Sequence, residues 1–255
     1  MTGSGGMTLT CLGTSDAFGV GGRHCAGYLL ETEHGRALLD AGPSILASLE
    51  RNGRSAAEID VVAVSHLHGD HFAGIPFLLL KFTYEERRSR PLVIVGPPEI
   101  ESRTRELYRA LYREASSAPL AFDLRFVEAV PGEPVEVADL RLEAFDVPHV
   151  SQGRSFGFRA TSGGKSLVYS GDTEWTDDLL RRSSGADLFL CECTSFEGEV
   201  PGHVRWRDVD LRRSRLECRQ LLLTHLGREM RGKAGLPDRL ADDGLAVVVG
   251  SNRAD

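Results

Sequence analysis

No run of apolar residues in the 255-residue chain approaches the ~20 needed to cross a bilayer, so the sequence reads as that of a protein outside the membrane. Met1 to Gly6 is small and polar and lacks the basic-then-apolar pattern of a secretory signal; Met7 is a second candidate start. Cysteine is scarce and odd in number: Cys11, Cys25, Cys191, Cys193 and Cys218 are spread too widely for a disulfide framework, which fits a reducing cytoplasm. Cys191 and Cys193 alternate along an apolar stretch and read as buried strand cysteines rather than thiolate ligands. An excess of basic residues is also missing. The formal net charge of −7 gives no global attraction for a phosphate backbone, and Arg205, Arg207, Arg212, Arg213 and Arg215 read as a solvated helix face. Two signatures are absent as well: the helical zinc motif H-E-x-x-H, and a dinucleotide fingerprint in the Gly-rich start Gly13 to Gly22, where Arg23 and His24 read as loop charges. Without a low-complexity linker, residues 7–255 are expected to form a single domain, preceded by a disordered 1–6.

What is present is an alternation of short strand-like runs and amphipathic helical patterns. Leu9–Leu12, Gly27–Glu31, Ala37–Asp40, Val61–Ser65, Leu92–Val95 and Phe122–Val127 read as strands in the first half. Leu140–Val147, Ser155–Ala160, Ser166–Ser170, Asp187–Glu192 and Gln220–Thr224 repeat the theme in the second. Helices are expected over Pro43–Asn52, Glu99–Ala115, Thr176–Arg182 and Arg205–Glu217. Helices on the outer faces of two sheets give an α/β fold, a four-layer αββα sandwich with its working loops at the strand ends.

The segment His66-Leu67-His68-Gly69-Asp70-His71 follows the apolar run Val61 to Val64, placing four potential metal ligands within six residues. In extended chain, side chains two apart point the same way, so His66 and His68 can converge on one ion while Gly69 turns the chain. Asp70 and His71 are then available to a second. Further candidates close later strands: His149 after Phe145 to Pro148, Asp172 after Val168 to Gly171, and His225 after Leu221 to Thr224. A single His in such a place is more often an ordinary hydrogen-bonded residue. The repeated pattern points instead to preorganised ligands on rigid elements.

These motifs, together with Leu12-Gly13-Thr14-Ser15-Asp16-Ala17-Phe18-Gly19 and Leu38-Leu39-Asp40-Ala41-Gly42, resemble the metallo-β-lactamase superfamily and, within it, the ribonuclease Z branch. The resemblance implies that His66, His68 and His149 hold one metal ion, that Asp70, His71 and His225 hold another, and that Asp172 bridges the two. Imidazole and carboxylate ligands suit zinc first, with manganese or iron also compatible. The resemblance further implies a supporting carboxylate at Asp40, a proton-accepting or water-orienting role for Asp70, and a general acid at His203 oriented by Glu192. His203 is followed by Val204-Arg205, where ribonuclease Z has Ser-Thr.

The expected activity is that of a dinuclear metal-dependent hydrolase, phosphodiesterase-like, using a metal-bridging hydroxide on a small anionic phosphodiester such as a cyclic nucleotide. Nucleic acid is not favoured as substrate, because no long Gly/Pro-rich arm for gripping tRNA lies between His71 and His149. Hydrolysis of a lactone, carboxylic ester or sulfate ester, or a metal-binding sensor or assembly protein without turnover, would require the same ligands. A homodimer is the oligomeric expectation drawn from relatives.

Overall fold

Period-two alternation of apolar side chains generates the layers of the molecule. In the computed structural model, which describes residues 6–151 and 153–251, the chain begins β1 (Thr8–Gly13), β2 (Gly27–Glu31), β3 (Arg36–Leu39), α1 (Ile45–Arg51), β4 (Val61–Ala63) and α2 (Gly69–Phe72). It continues α3 (Ile75–Tyr84), β5 (Leu92–Gly96), α4 (Ile100–Leu111), β6 (Leu124–Glu128), β7 (Val135–Val137), β8 (Leu140–Asp146), β9 (Phe156–Ser162) and β10 (Lys165–Tyr169). It ends α5 (Asp177–Ser183), β11 (Leu188–Glu192), α6 (Trp206–Arg212), β12 (Leu221–Thr224), α7 (Arg228–Arg231), β13 (Arg239–Leu240) and β14 (Ala246–Val248). The expected disorder of residues 1–6 falls, apart from exposed Gly6, outside the described residues.

Two seven-stranded sheets result, ordered β14-β1-β2-β3-β4-β5-β6 and β13-β12-β11-β10-β9-β8-β7. Each combines antiparallel hairpins with a parallel run: β3 to β6 in the first sheet, β10 to β13 in the second. Within β4, Val61 and Ala63 face the second sheet, and Val62 faces the helices with Val64 just beyond. The inner faces meet in a core that includes Leu9, Tyr28, Leu39, Phe158, Tyr169 and Leu190. On the outside, Leu29, Leu38 and Ile94 pack against Ile45, Leu78, Phe82 and Ile100 of α1, α3 and α4. Across the molecule, Val168, Phe189, Cys191 and Leu223 receive Leu179, Val209 and Met230 of α5, α6 and α7. This is the four-layer αββα sandwich. Cys191 and Cys193 are fully buried in the last of these clusters, and no helix among the described residues is long and apolar enough to cross a membrane.

Parallel strands end on the same side of a sheet, so their following loops gather along one rim. That rim carries the site.

Candidate metal centre

Each candidate ligand lies just past the carboxyl end of a strand. Leaving β4, the chain presents His66 and His68 before the four-residue α2 carries Asp70 and His71. The second sheet contributes His149 beyond β8, Asp172 beyond β10 and His225 directly after β12. Gly171 makes the turn into Asp172 at φ 59, and a Cβ there would meet the Phe156 carbonyl and come within 3.0 Å of Ser65 Cβ, so only glycine fits. Asp40 and His225 hold left-handed φ values of 58 and 53 without that freedom, a local strain that concentrates at sites held in place by their surroundings.

The seven candidate ligands converge in two groups, and His203 forms two more, with His149 and Asp172 and with Glu192 and His225. His66, His68 and His149 bring one ligand atom each within 4.8 Å of one another, and Asp70, His71, Asp172 and His225 do the same. Asp172 Oδ2 lies between them, 3.1 Å from His71 Nε2, 3.2 Å from His225 Nε2, 3.9 Å from His66 Nε2 and 4.0 Å from His149 Nε2. Asp70 Oδ2 stands 3.2 Å from His71 Nε2 and 3.4 Å from His225 Nε2.

The hydrogen-bond network decides which ring nitrogens bear protons. His71 Nδ1 donates to Asp40 Oδ2 at 2.8 Å, and His149 Nδ1 donates to the Gly202 carbonyl at 2.8 Å. Ser65 Oγ donates to Asp40 Oδ2 at 2.8 Å, so His66 Nδ1 donates to Ser65 Oγ at 3.0 Å. In the neutral rings, Nε2 of all three then carries a lone pair aimed inward. His149 Nε2 faces His68 Nδ1 at 3.2 Å, and His71 Nε2 faces His225 Nε2 at 3.4 Å. His66 Nε2 and Asp172 Oδ1 are buried with no hydrogen-bond partner among the described residues. Inward-facing ring nitrogens and unpaired buried polar atoms clustered in this way fit a divalent cation.

Electrostatics agree. Burial opposes a charge on His71, yet Asp172, Asp70 and Asp40 hold its pKa well above the usual value. The carboxylates are thus arranged to demand positive charge at this point. Burial lowers the pKa values of His66, His68 and His149, keeping them neutral and able to ligate. The donor set, imidazole with carboxylate, fits a divalent metal such as zinc.

Asp40 accepts four hydrogen bonds, from Ser65 N at 2.7 Å, Ser65 Oγ, His71 Nδ1 and Tyr169 OH at 2.6 Å. Tyr169 and Ser65 escaped the sequence reading. An inward-facing tyrosine needs a polar partner, which was the only signal for Tyr169. Glu192, fully buried, receives Thr173 N and His203 Nδ1 at 2.9 Å each on Oε1 and Thr194 Oγ1 at 3.1 Å on Oε2. Burial works against a charged His203, but the hydrogen bond and charge of Glu192 together with Asp172 raise its pKa to about 9.

Arg23 and His24 stay off the site: Arg23 forks onto Asp242 at 2.8 and 3.0 Å, and His24 contacts Ser48 and Asp243. The arginines read as a solvated helix face are partly engaged instead. Arg213 pairs with Asp238, and Arg212 lies 5.5 Å from the Trp175 ring centre.

Two cavities flank the centre, one of ≈ 390 Å³ reaching His203 and Trp175, the other of ≈ 230 Å³ reaching His68 and Arg103. A larger one of ≈ 570 Å³ lies where β11 and β12 begin, lined by Leu188, Leu221 and Arg239, with none of the candidate ligands on its wall. Size alone would choose it. Chemistry places the site at the other end of these strands.

A family model described as anti-Pycsar protein Apyc1 matches residues 7–239. Uncharacterized protein Rv1339 of Mycobacterium tuberculosis is 32% identical over 226 residues, which cover 86% of this chain and 81% of that protein. A ribonuclease Z of Lachnoclostridium phytofermentans is 32% identical over 232 residues, covering 73% of this chain and 74% of its own length. Among solved structures, the metallo-β-lactamase fold protein YhfI from Bacillus subtilis superposes with a TM-score of 0.77 at 21% identity, over 95% of this chain and 99% of that one.

Proposed function

Because the chain belongs to the family of the anti-Pycsar protein Apyc1 and to the ribonuclease Z-like metallo-β-lactamase superfamily, it is a metal-dependent hydrolase, and we propose that its substrate is a small phosphodiester such as a cyclic nucleotide. The observation that carries this reading is the pairing of His203 with Glu192 beside the two ligand groups, at the mouth of the ≈ 390 Å³ cavity. In this reading His66, His68 and His149 would hold one ion, Asp70, His71 and His225 would hold the second, and Asp172 would be shared by both. Zinc is the first choice of metal, with manganese and iron as alternatives. Two ions bound there would activate water near neutral pH and neutralise charge on the attacked and departing oxygens.

The chain's own groups supply the proton traffic. Asp70, whose Oδ2 stands beside both His71 and His225, would orient the attacking water and accept its proton. As the P–O bond breaks, the departing oxygen needs a proton. His203 Nδ1 faces Glu192, so the proton delivered to the leaving group is the one on Nε2. Asp40 and the Gly202 carbonyl fix His71 and His149 in the tautomers that ligation requires.

RNA is a second candidate, because relatives at this level of identity are named ribonuclease Z. Against a tRNA-sized substrate, the chain between His71 and His149 builds α3, β5, α4, β6, β7 and β8 of the sandwich, and the longest stretch between two of these elements is residues 112–123. Zinc- or manganese-loaded protein assayed on a panel of cyclic nucleotides, bis(p-nitrophenyl) phosphate, a precursor-tRNA hairpin, lactones, carboxylic esters and sulfate esters decides the matter. Fastest turnover on cyclic nucleotides is expected. Activity on no phosphodiester above a His68→Ala control would sink the reading. A homodimer remains part of the proposal, checked by sedimentation equilibrium.

A further inference from the structure

The departing oxygen of a phosphodiester must sit at His203, so whatever organic group carries that oxygen extends away from the metals on the His203 side. The ≈ 390 Å³ cavity begins there, within the ~300–1,000 Å³ span of small-molecule sites. Its lining is mixed: Glu174, Glu199, Asp208, Arg205 and Arg212 bring charge beside His203. Trp175, Val200 and Pro201 supply apolar surface, with Val200 and Pro201 exposed to solvent.

Trp175 is built as a fixed plate. It follows Asp172 by three residues, and its neighbour Glu174 is anchored at both ends: its N–H donates to the Pro148 carbonyl at 2.9 Å, and its Oε1 accepts from Gly202 N at 3.1 Å. The Arg212 guanidinium covers the indole at 5.5 Å from the ring centre and is itself tied to Asp208, donating to its carbonyl at 3.1 Å. An indole held in this way at the wall of a cavity is a stacking surface for a flat ring. Glu174 and the Gly202 backbone also connect this wall to the metal centre, since Gly202 O receives His149 Nδ1.

We propose that the cavity between His203 and Trp175 is the subsite for the base of a nucleotide substrate, with Trp175 as the residue that stacks on the base and sets the preference for nucleotides over base-free phosphodiesters. This rests on the phosphodiester reading above and names its specificity element.

Binding tests the subsite independently of turnover. Zinc-loaded protein is titrated calorimetrically with cytidine or adenosine 5′-monophosphate and, separately, with ribose 5-phosphate. Wild type is expected to bind the nucleotide on the order of 10- to 100-fold more tightly than the sugar phosphate, the range that one base–aromatic stack provides. Trp175→Ala erases that ratio and leaves ribose 5-phosphate affinity unchanged, which also shows that the variant is folded. Trp175→Phe keeps most of the ratio. Equal affinities in wild type, or a ratio preserved in Trp175→Ala, would overturn the proposal. Absence of cyclic nucleotide hydrolysis alongside an intact, Trp175-dependent ratio would refute the phosphodiesterase reading and uphold the subsite, so the two fail separately.

Discussion

At the scale of single residues, the site depends on a few buried acceptors that the metals would never touch. Asp40 is one: four donors hold it, and it in turn fixes the His71 ring. Asp40→Asn removes the charge and sets an N–H₂ group against Ser65 N or against the three donors on Oδ2, so His71 is left with at best a neutral, weaker acceptor. A fall of about 10- to 100-fold in metal affinity is expected, read by competition with a chelating dye. Glu192 and His203 are separable from this effect. His203→Ala is expected to lower kcat by about 10²- to 10⁴-fold with unchanged metal stoichiometry by atomic absorption; lost metal would assign His203 to ligation instead. The ligand residues were legible because chemistry restricts them to His and Asp at strand ends. Ser65 and Tyr169 were not, since a hydroxyl says nothing of its partner until β4 and β10 are laid face to face.

Among the elements, α2 shows how a four-residue helix too short to be stable alone is held in place. Ala41 N donates to the His71 carbonyl at 2.6 Å, and Gly74 N donates back to the Ala41 carbonyl at 2.8 Å, so the turn after β3 grips the C-terminal side of the segment bearing Asp70 and His71. A Cβ on Gly42 would stand 2.5 Å from Asp70 O and 2.8 Å from Cys25 Cβ. Gly42→Ala must therefore move α2 outward. A loss of about 1–3 kcal/mol in stability is expected from such overpacking, by urea denaturation, together with weaker metal binding. Unchanged stability would mean that the turn yields without strain. Strand periodicity recovered every long strand to within about two residues, the ordinary uncertainty of element ends. It missed β7, β13 and β14, which at three, two and three residues are too short to show alternation. The expected helix over Arg205–Glu217 stops at Arg212, where Arg213–Arg215 tightens into a 3₁₀ turn and Arg213 turns to Asp238.

For the whole molecule, the two sheets are fastened at opposite ends. Away from the metal rim, Asp139 in the turn between β7 and β8 accepts from Thr32 Oγ1 of the first sheet's β2–β3 turn at 2.6 Å and from Ser162 Oγ at 2.9 Å. Burial works against its charge, but these two hydrogen bonds hold its pKa below the ordinary value. A carboxylate depressed on folding adds stability that is present above its unfolded pKa of about 4 and is lost as pH falls through the folded value. Asp139→Asn should therefore flatten the acid dependence of Tm relative to wild type, both measured after chelation. At the other rim, the fastening would be the ions. His66, His68, Asp70 and His71 come from the first sheet's side, and His149, Asp172 and His225 from the second's, so each proposed ion joins the two halves. Binding to the folded state alone stabilises by about 2.7 kcal/mol per site at a ligand concentration 100 times Kd. Two such sites give about 5.4 kcal/mol, which for a chain of this size corresponds to a Tm shift of roughly 10–20 °C. Chelation is expected to lower Tm by that order and readdition of zinc to restore it. His149→Ala and His225→Ala, each removing a ligand from one group, should retain about one ion and roughly half the shift. A full shift in His225→Ala would show that a single ion held by the His66 group carries the stabilisation, and would remove the bridging role from Asp172.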